Sequence, residues 1–228
     1  LLAIKKRGFI NVCYTPWLGT GSAKEEYGAD YEAASVFAKY LGVKPHFKMI
    51  QWDEQFKMTA NFQNKNHTPD LLADGSCDFY ASNITKSAIY DGKLAIIPIF
   101  PSRMMIVTTK KNYDSIKDDA DLAGKSTYVI RGTTYERWLQ QENQKLLFKQ
   151  NPIHIHSIKD GSTVDYLLKG KADFIVLDAY LALFTKMNDK YSEIEMAFPI
   201  GRTEEVGWGF RLTDSSIISK FSRFFFLE

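Results

Sequence analysis

Leu167-Leu-Lys-Gly-Lys-Ala-Asp-Phe-Ile-Val-Leu-Asp178 decides the fold. Leu167 and Leu168 read as the end of a helix, Gly170 as its stop, and Ala172 to Leu177 as an unbroken apolar run. Such a run is the pattern of a strand covered on both faces. Asp178 stands where that strand ends. Open α/β sheets place ligand contacts at the carboxyl ends of their strands, so Asp178 is a candidate binding carboxylate. The same phrase occurs earlier, where Leu72-Ala-Asp-Gly75-Ser-Cys-Asp78-Phe79 repeats it as L-x-x-G-x-x-D-F. Two copies predict two similar α/β lobes.

Working outward, Ile4 to Arg7 reads as the end of a short helix stopped by Gly8, and Phe9 to Tyr14 as the first strand. The Pro and Gly content of Thr15 to Ser22 marks a loop. Asp30 is placed to cap a helix carrying Ala33, Phe37, Tyr40 and Leu41 on one face. Pro45 to Trp52 is then a second strand, completing a β-α-β unit. Phe56 to Thr68 is polar and aperiodic, a short helix or surface excursion. Asp78 to Ser82 is a strand ending in polar Asn83-Ile84-Thr85. Leu94 to Val107 contains Pro98 and Pro101, which a central strand does not tolerate, and is read as two extended pieces joined by a turn. Ser126 to Ile130 is a strand, and Arg131-Gly-Thr-Thr134 opens a helix whose start could hold an anionic group. Ile153 to Ile158 alternates as a strand with His154 and His156 on one face, but without the third ligand a metal site needs. Ala179 to Met187 is a helix, Glu195 to Ile200 and Val206 to Leu212 are strands around Gly201, and Ser215 to Phe226 is the last helix.

With 45% hydrophobic residues among 228, the chain supports one large or two small cores. Its 29 basic residues against 27 acidic ones concentrate nowhere, which argues against a nucleic-acid partner. No segment has the length of a membrane span, so direct insertion is not expected, and the start lacks the apolar core of a signal peptide. Leu227-Glu228 reads as a cloning remnant. Cys13 and Cys77 could pair in an oxidising compartment. If their strands are parallel neighbours in register, an offset of about four residues at roughly 3.3 Å each separates them by about 13 Å, beyond disulfide reach. Two free thiols are expected.

The order of these phrases resembles the type 2 periplasmic solute-binding proteins, bacterial extracellular solute-binding family 3, polar amino-acid-binding group. The resemblance runs through Ile4-Lys-Lys-Arg-Gly-Phe-Ile-Asn-Val12, Gly28-Ala-Asp30 with Phe37-Ala-Lys-Tyr-Leu-Gly42, and Leu72-x-x-Gly75-x-x-Asp78. It continues through Asp121-Leu-Ala-Gly-Lys125, Arg131-Gly-Thr-Thr134, Gly170-Lys-Ala-Asp173-x-x-x-x-Asp178 and Gly207-Trp-Gly-Phe210. It implies an α/β fold of two Rossmann-like lobes with a hinge and mixed, mostly parallel sheets. Lobe 1 would hold residues 1–102 and 203–228, and lobe 2 residues 103–202, with a ligand trapped by hinge closure. It also implies roles. Asp178 would bind a ligand ammonium, and Thr133 and Thr134, with Arg131 beside them, would receive a carboxylate. Ser82, Asn83 and Thr85 would line the first-lobe strand end, and Tyr14 or Trp17, with Trp52, would pack on the ligand's stem. The family's carboxylate-binding Arg shortly after Thr85 is absent. Lys86, Lys93, Arg103 or Arg131 could substitute, and Arg103 is the preferred one.

The resemblance implies a periplasmic or extracellular monomer without cofactor or metal. It would capture a small polar ligand, amino-acid-like or amine, for a membrane transporter or a fused signalling or catalytic module. Pro69-Asp-Leu-Leu-Ala-Asp-Gly-Ser-Cys-Asp78, Phe100-Pro-Ser-Arg-Met-Met105 and Glu204-Glu-Val-Gly-Trp-Gly-Phe210 look most like domains attached to lytic transglycosylases, histidine kinases or diguanylate cyclases. The turn and helix that close family members are missing after Phe226, which fits a domain cut from a larger receptor. An enzyme is not expected; the alternative is a cyclohexadienyl dehydratase-like activity, for which Asp178 lacks an evident acid-base partner.

Overall fold

A computed structural model describes residues 1–15, 29–56, 68–159 and 161–226. The chain forms two compact units. Unit 1 takes in Leu1–Pro16, Ala23–Pro101 and Glu204–Glu228, and unit 2 takes in Trp17–Ser22 and Ser102–Thr203.

In unit 1, α1 (Leu2–Arg7) ends on Gly8 in the left-handed region, φ 79°. A residue with a Cβ is strained there, so the chain turns at once into β1 (Phe9–Tyr14). Helix α2 (Ala29–Leu41) crosses to β2 (Lys44–Met49), which pairs parallel to β1 from Phe9 against Lys44 to Tyr14 against Met49. A four-residue α3 (Asp70–Ala73) precedes β3 (Phe79–Thr85), parallel to β1 on its other side. The core on the α2 side is aromatic. Phe37, Phe79, Trp208, Phe210 and Phe221 are fully buried, with Phe79 stacked between Trp208 and Phe210 at centroid distances of 5.3 and 5.4 Å. Burial of each such ring contributes roughly 1.5–3 kcal/mol. Phe221 comes from α7 (Ser215–Phe226), whose apolar stripe closes this side.

In unit 2, β5 (Ser126–Ile130) pairs parallel with both β6 (His154–Ile158) and β7 (Phe174–Asp178). Every residue of β7 is buried. Phe174 and Val176 enter a core with Leu139 of α4 (Thr134–Glu142), while Ile175 and Leu177 enter a second core. That second core holds Val164 and Leu167 of α5 (Thr163–Leu168) and Leu181 of α6 (Ala179–Met187). The two-sided burial is why the strand reads as a continuous apolar run.

Two long strands run through both units: β4 (Ala95–Thr109), and β8 (Ile194–Phe210) beside it. β4 is continuous, against the expectation of two pieces joined by a turn. Its antiparallel pairing with β7 covers only Met104 to Thr108, so Pro98 and Pro101 withhold no N–H from that ladder. β8 is likewise one strand where two were expected, with Gly201 at φ 63° within it. It lies antiparallel to β3, and Gly207 approaches the chain so closely that a Cβ there would sit 1.9 Å from the carbonyl oxygen of Ile97.

The repeated L-x-x-G-x-x-D-F phrase does the same work twice. Leu72 and Leu167 are fully buried, and Gly75 and Gly170 turn the chain at φ 81° and 68°. Asp78 N–H then donates to Asn11 O (2.8 Å) while its carboxylate accepts from Asn11 N–H (2.7 Å). Asp173 does likewise with Ser126 O and N–H, both at 2.8 Å. Each aspartate thus clamps an incoming strand to its neighbour.

Cys13 and Cys77 form a disulfide, with Cα atoms 5.6 Å apart, which overturns the expectation of two free thiols. That expectation measured distance along a strand to which Cys77 does not belong. β3 begins at Phe79, in a register that sets Val12 against Phe79, and Cys77 lies in the bend after α3. The chain turns there instead of extending, so the rise per residue of a strand does not measure the separation.

Candidate functional site

β7 delivers Asp178 as its last residue, at the position before α6. Its side chain makes no capping bond to that helix. Instead Oδ1 accepts from Ser102 Oγ at 3.1 Å, and Oδ2 accepts from the Tyr135 hydroxyl at 2.7 Å. The same hydroxyl accepts from Asp178 N–H at 3.1 Å, closing a small ring of hydrogen bonds. Burial raises the Asp178 carboxyl above the usual carboxylate range, against the opposing pull of the bonds from Tyr135 and Ser102. Burial first, and the Asp178 charge second, push the Tyr135 phenol well above its ordinary value. A carboxylate has about four acceptor sites. Two carry protein donors, which leaves room for a further donor, favoured most if it is cationic.

Around Asp178 in unit 2, Thr133 is the N-cap of α4. Its hydroxyl accepts from Glu136 N–H at 3.2 Å and donates to Ile130 O at 2.8 Å, so it is engaged locally. Gly132 N–H is taken by Glu136 Oε2 at 2.7 Å, and Thr134 is half-buried as the first residue of α4. Arg131 is exposed, its backbone N–H bonded to Ile158 O. Arg103 is also exposed, its Nε donating to Gly201 O at 3.1 Å.

In unit 1, the β3–β8 pairing loses register between Tyr80 and Ile84, an irregularity of the kind that re-aims side chains near functional sites. Ser82 and Asn83 lie within it. Asn83 Nδ2 donates to Asp30 Oδ2 at 2.9 Å, and Trp208 Nε1 donates to Asp30 Oδ1 at 3.0 Å. Among the described residues Asn83 Oδ1 and the buried Ser82 Oγ have no hydrogen-bond partner. Thr85 is buried at the strand's end. Trp52 is buried in a 3-10 turn rather than on β2, and its indole N–H has no partner among the described residues. The Tyr14 ring meets Tyr31 and Phe47 edge-on, each at 5.9 Å. Trp17 lies outside the described residues. Among those residues no group of three or more His, Cys, Asp or Glu could hold a metal ion, and His156 stacks on Tyr128.

No family model matches the chain. Over 198 residues, 87% of this chain and 40% of the relative, it is 26% identical to the membrane-bound lytic murein transglycosylase F of Desulfosudis oleivorans. It is 29% identical over 203 residues, 86% of this chain and 69% of the relative, to the L-cystine-binding protein TcyJ of Escherichia coli. The chain therefore spans less than half the length of that transglycosylase. An ancestral arginine-binding protein bound to arginine superposes with a TM-score of 0.77 at 24% identity, covering 95% of this chain and 90% of the other. The ancestral amino-acid-binding protein AncCDT-1, a precursor of cyclohexadienyl dehydratase, gives a TM-score of 0.78 at 21% identity, covering 98% and 90%.

This is the fold of the type 2 periplasmic binding proteins. The sequence relatives agree with a place beside the family 3 solute-binding proteins. Sequence reading missed Tyr135 and Ser102, the two partners of Asp178. Tyr135 follows Thr134 directly and Ser102 precedes Arg103, so both sat one residue from positions already singled out.

Asp30 is the second residue of α2 rather than its cap. Burial raises its pKa to about 6, partly opposed by the bond from Trp208. A folded pKa above the unfolded value of about 3.9 means that its contribution is fully present below pH 4 and lost as pH rises through 6. Asp30→Asn removes this titration. Between pH 4 and pH 7 the variant is expected to gain on the wild type by on the order of 2 kcal/mol in urea unfolding. A constant difference between the two proteins would show that Asp30 titrates normally.

Proposed function

We propose that this chain is an extracytoplasmic solute-binding domain that captures a small polar ligand bearing a positive charge, an amino acid or an amine. One observation carries the reading: the Asp178 carboxylate, buried at a strand end, is held by two neutral donors and keeps acceptor capacity for a third. The names of the relatives support it, since TcyJ binds L-cystine and the solved neighbour holds arginine. The Cys13–Cys77 disulfide supports an oxidising compartment. The captured ligand would be passed to a membrane transporter.

A second reading is favoured by the transglycosylase match, which covers 87% of this chain. There the domain would sense a ligand for an attached catalytic or signalling module. Catalysis by this chain itself is not favoured. The hydrogen-bond partners of Asp178 are a serine and a tyrosine whose pKa is raised, and neither is a base at neutral pH. Among the described residues no helix is long and apolar enough to cross a membrane.

A thermal-shift panel of L-amino acids, including L-arginine and L-cystine, and their decarboxylated amines tests the reading. At 100 times Kd a true ligand stabilises by about 2.7 kcal/mol, a melting shift of several degrees. Flat melting across the panel, with turnover of prephenate, would replace it by the dehydratase-like reading.

A further inference from the structure

Asp178 stands where a helix cap belongs. It is the residue before α6, and aspartate is among the residue types that best accept from the unpaired N–H groups of a helix's first turn. The two α-helices that precede α6 in unit 2 are capped in this way, Thr133 accepting from Glu136 N–H and Ser162 from Asp165 N–H. Asp178 makes no such bond. Its carboxylate is held elsewhere, and the group that holds it most closely is Tyr135.

The Tyr135 hydroxyl donates to Asp178 Oδ2 at 2.7 Å and accepts from Asp178 N–H at 3.1 Å. A single oxygen thus ties the carboxylate to the backbone of its own residue, and the closed ring fixes both side-chain torsions of Asp178. Ser102 bonds Oδ1 alone. Tyr135 is itself held firmly, since its ring is buried in the same core as Leu139, one turn further along α4. Burial also keeps the phenol protonated at neutral pH, so it serves as a donor.

Leaving a helix start without its cap is unfavourable, and so is burying a carboxylate among neutral donors. The buried Asp78 carboxylate has Arg7 and Arg211 beside it. The influences on Asp178 are burial, Tyr135 and Ser102, with no cation among the described residues. On β4, Met104 lies opposite Asp178 and Arg103 is turned to Gly201 O. On α4, Glu136 is taken by Gly132 N–H and Ser157, and on α6 the nearby titratable group is Tyr180. A cation arriving from outside would complete this arrangement.

We propose that Tyr135 is a positioning residue for the ligand's cation: its hydroxyl turns the Asp178 carboxylate away from the start of α6 and holds it ready for an ammonium or guanidinium group. This rests on the solute-binding reading, and it names the device that makes Asp178 a binding group instead of a helix cap.

The test uses Tyr135→Phe, which removes only the hydroxyl. Without ligand this variant should melt within a few degrees of the wild type, because the released carboxylate can cap α6. A larger fall, or failure to fold, would show the hydroxyl to be needed for folding and overturn the proposal. The L-amino acids and amines of the panel are then titrated by calorimetry. At neutral pH Tyr135→Phe should bind about tenfold more weakly than the wild type. On acidification its binding should be lost at a higher pH, since the bond from Tyr135 favours the ionised carboxylate and its removal lets the proton on earlier. In an Asp178→Asn background the same substitution should change affinity by less than about twofold, because Tyr135 acts through Asp178. Unchanged affinity in Tyr135→Phe, an unmoved pH profile, or equal losses in the two backgrounds would each overturn the positioning role and leave the solute-binding reading standing. A wild type that binds no panel member overturns that reading, and this proposal with it.

Discussion

Replacing both Cys13 and Cys77 by alanine is expected to lower the stability of unit 1 by about 4 kcal/mol. The two cysteines are 64 residues apart in sequence, and the chain-entropy cost of leaving a loop of that size open is on the order of 4 kcal/mol. The bridge ties β1 to the segment entering β3, so its loss also frees the bend that sets the register of β3 on β1. For a chain of this size each kcal/mol moves the melting temperature by about 2–4 °C. A melt of the double variant should therefore fall by roughly 10 °C. An unchanged melting temperature would mean that the pair contributes nothing to folding.

Asp78→Ala is expected to cost about 3–5 kcal/mol, the range for breaking a buried charged network from one side. The Asp78 carboxylate is buried, pairs with Arg7, lies 3.6 Å from Arg211, and accepts from Asn11 N–H. Arg211 in turn donates to Leu72 O and Cys77 O, and pairs with Asp214 at the start of α7. One substitution thus leaves two guanidinium groups short of a partner and loosens the seams between β1, β3 and α7. The repeated phrase provides a control. Among the described residues the Asp173 carboxylate has a single partner, Ser126 N–H. Asp173→Ala should therefore cost only about 1–2 kcal/mol. Urea unfolding of both variants checks this, and equal losses would contradict the role given to the arginines.

Most of the elements were legible because their signals are local. Gly8 and Gly170 stop helices by adopting positive φ, β7 is apolar throughout because both its faces are covered, and α6 and α7 follow their periodicity. What escaped depends on partners distant in sequence. Pro98 and Pro101 suggested a break in β4, since nothing local tells which edge of a strand is paired. The disulfide depended on the bend before Phe79. In the site, Asp178 was legible as a carboxylate closing an apolar strand. Its partners were not, because Ser102 and Tyr135 come from β4 and α4 and meet it only through the packing of unit 2.

The central claim is that Asp178 anchors the positive group of a captured ligand. It is tested most directly by calorimetric titration of the panel's strongest ligand into the wild type and into Asp178→Asn at neutral pH. The account predicts saturable binding to the wild type, weakening as pH falls and the raised carboxyl of Asp178 takes up a proton. It predicts a loss of about 2 kcal/mol or more in Asp178→Asn, roughly thirtyfold or greater in Kd. Equal affinity in the two proteins would contradict it.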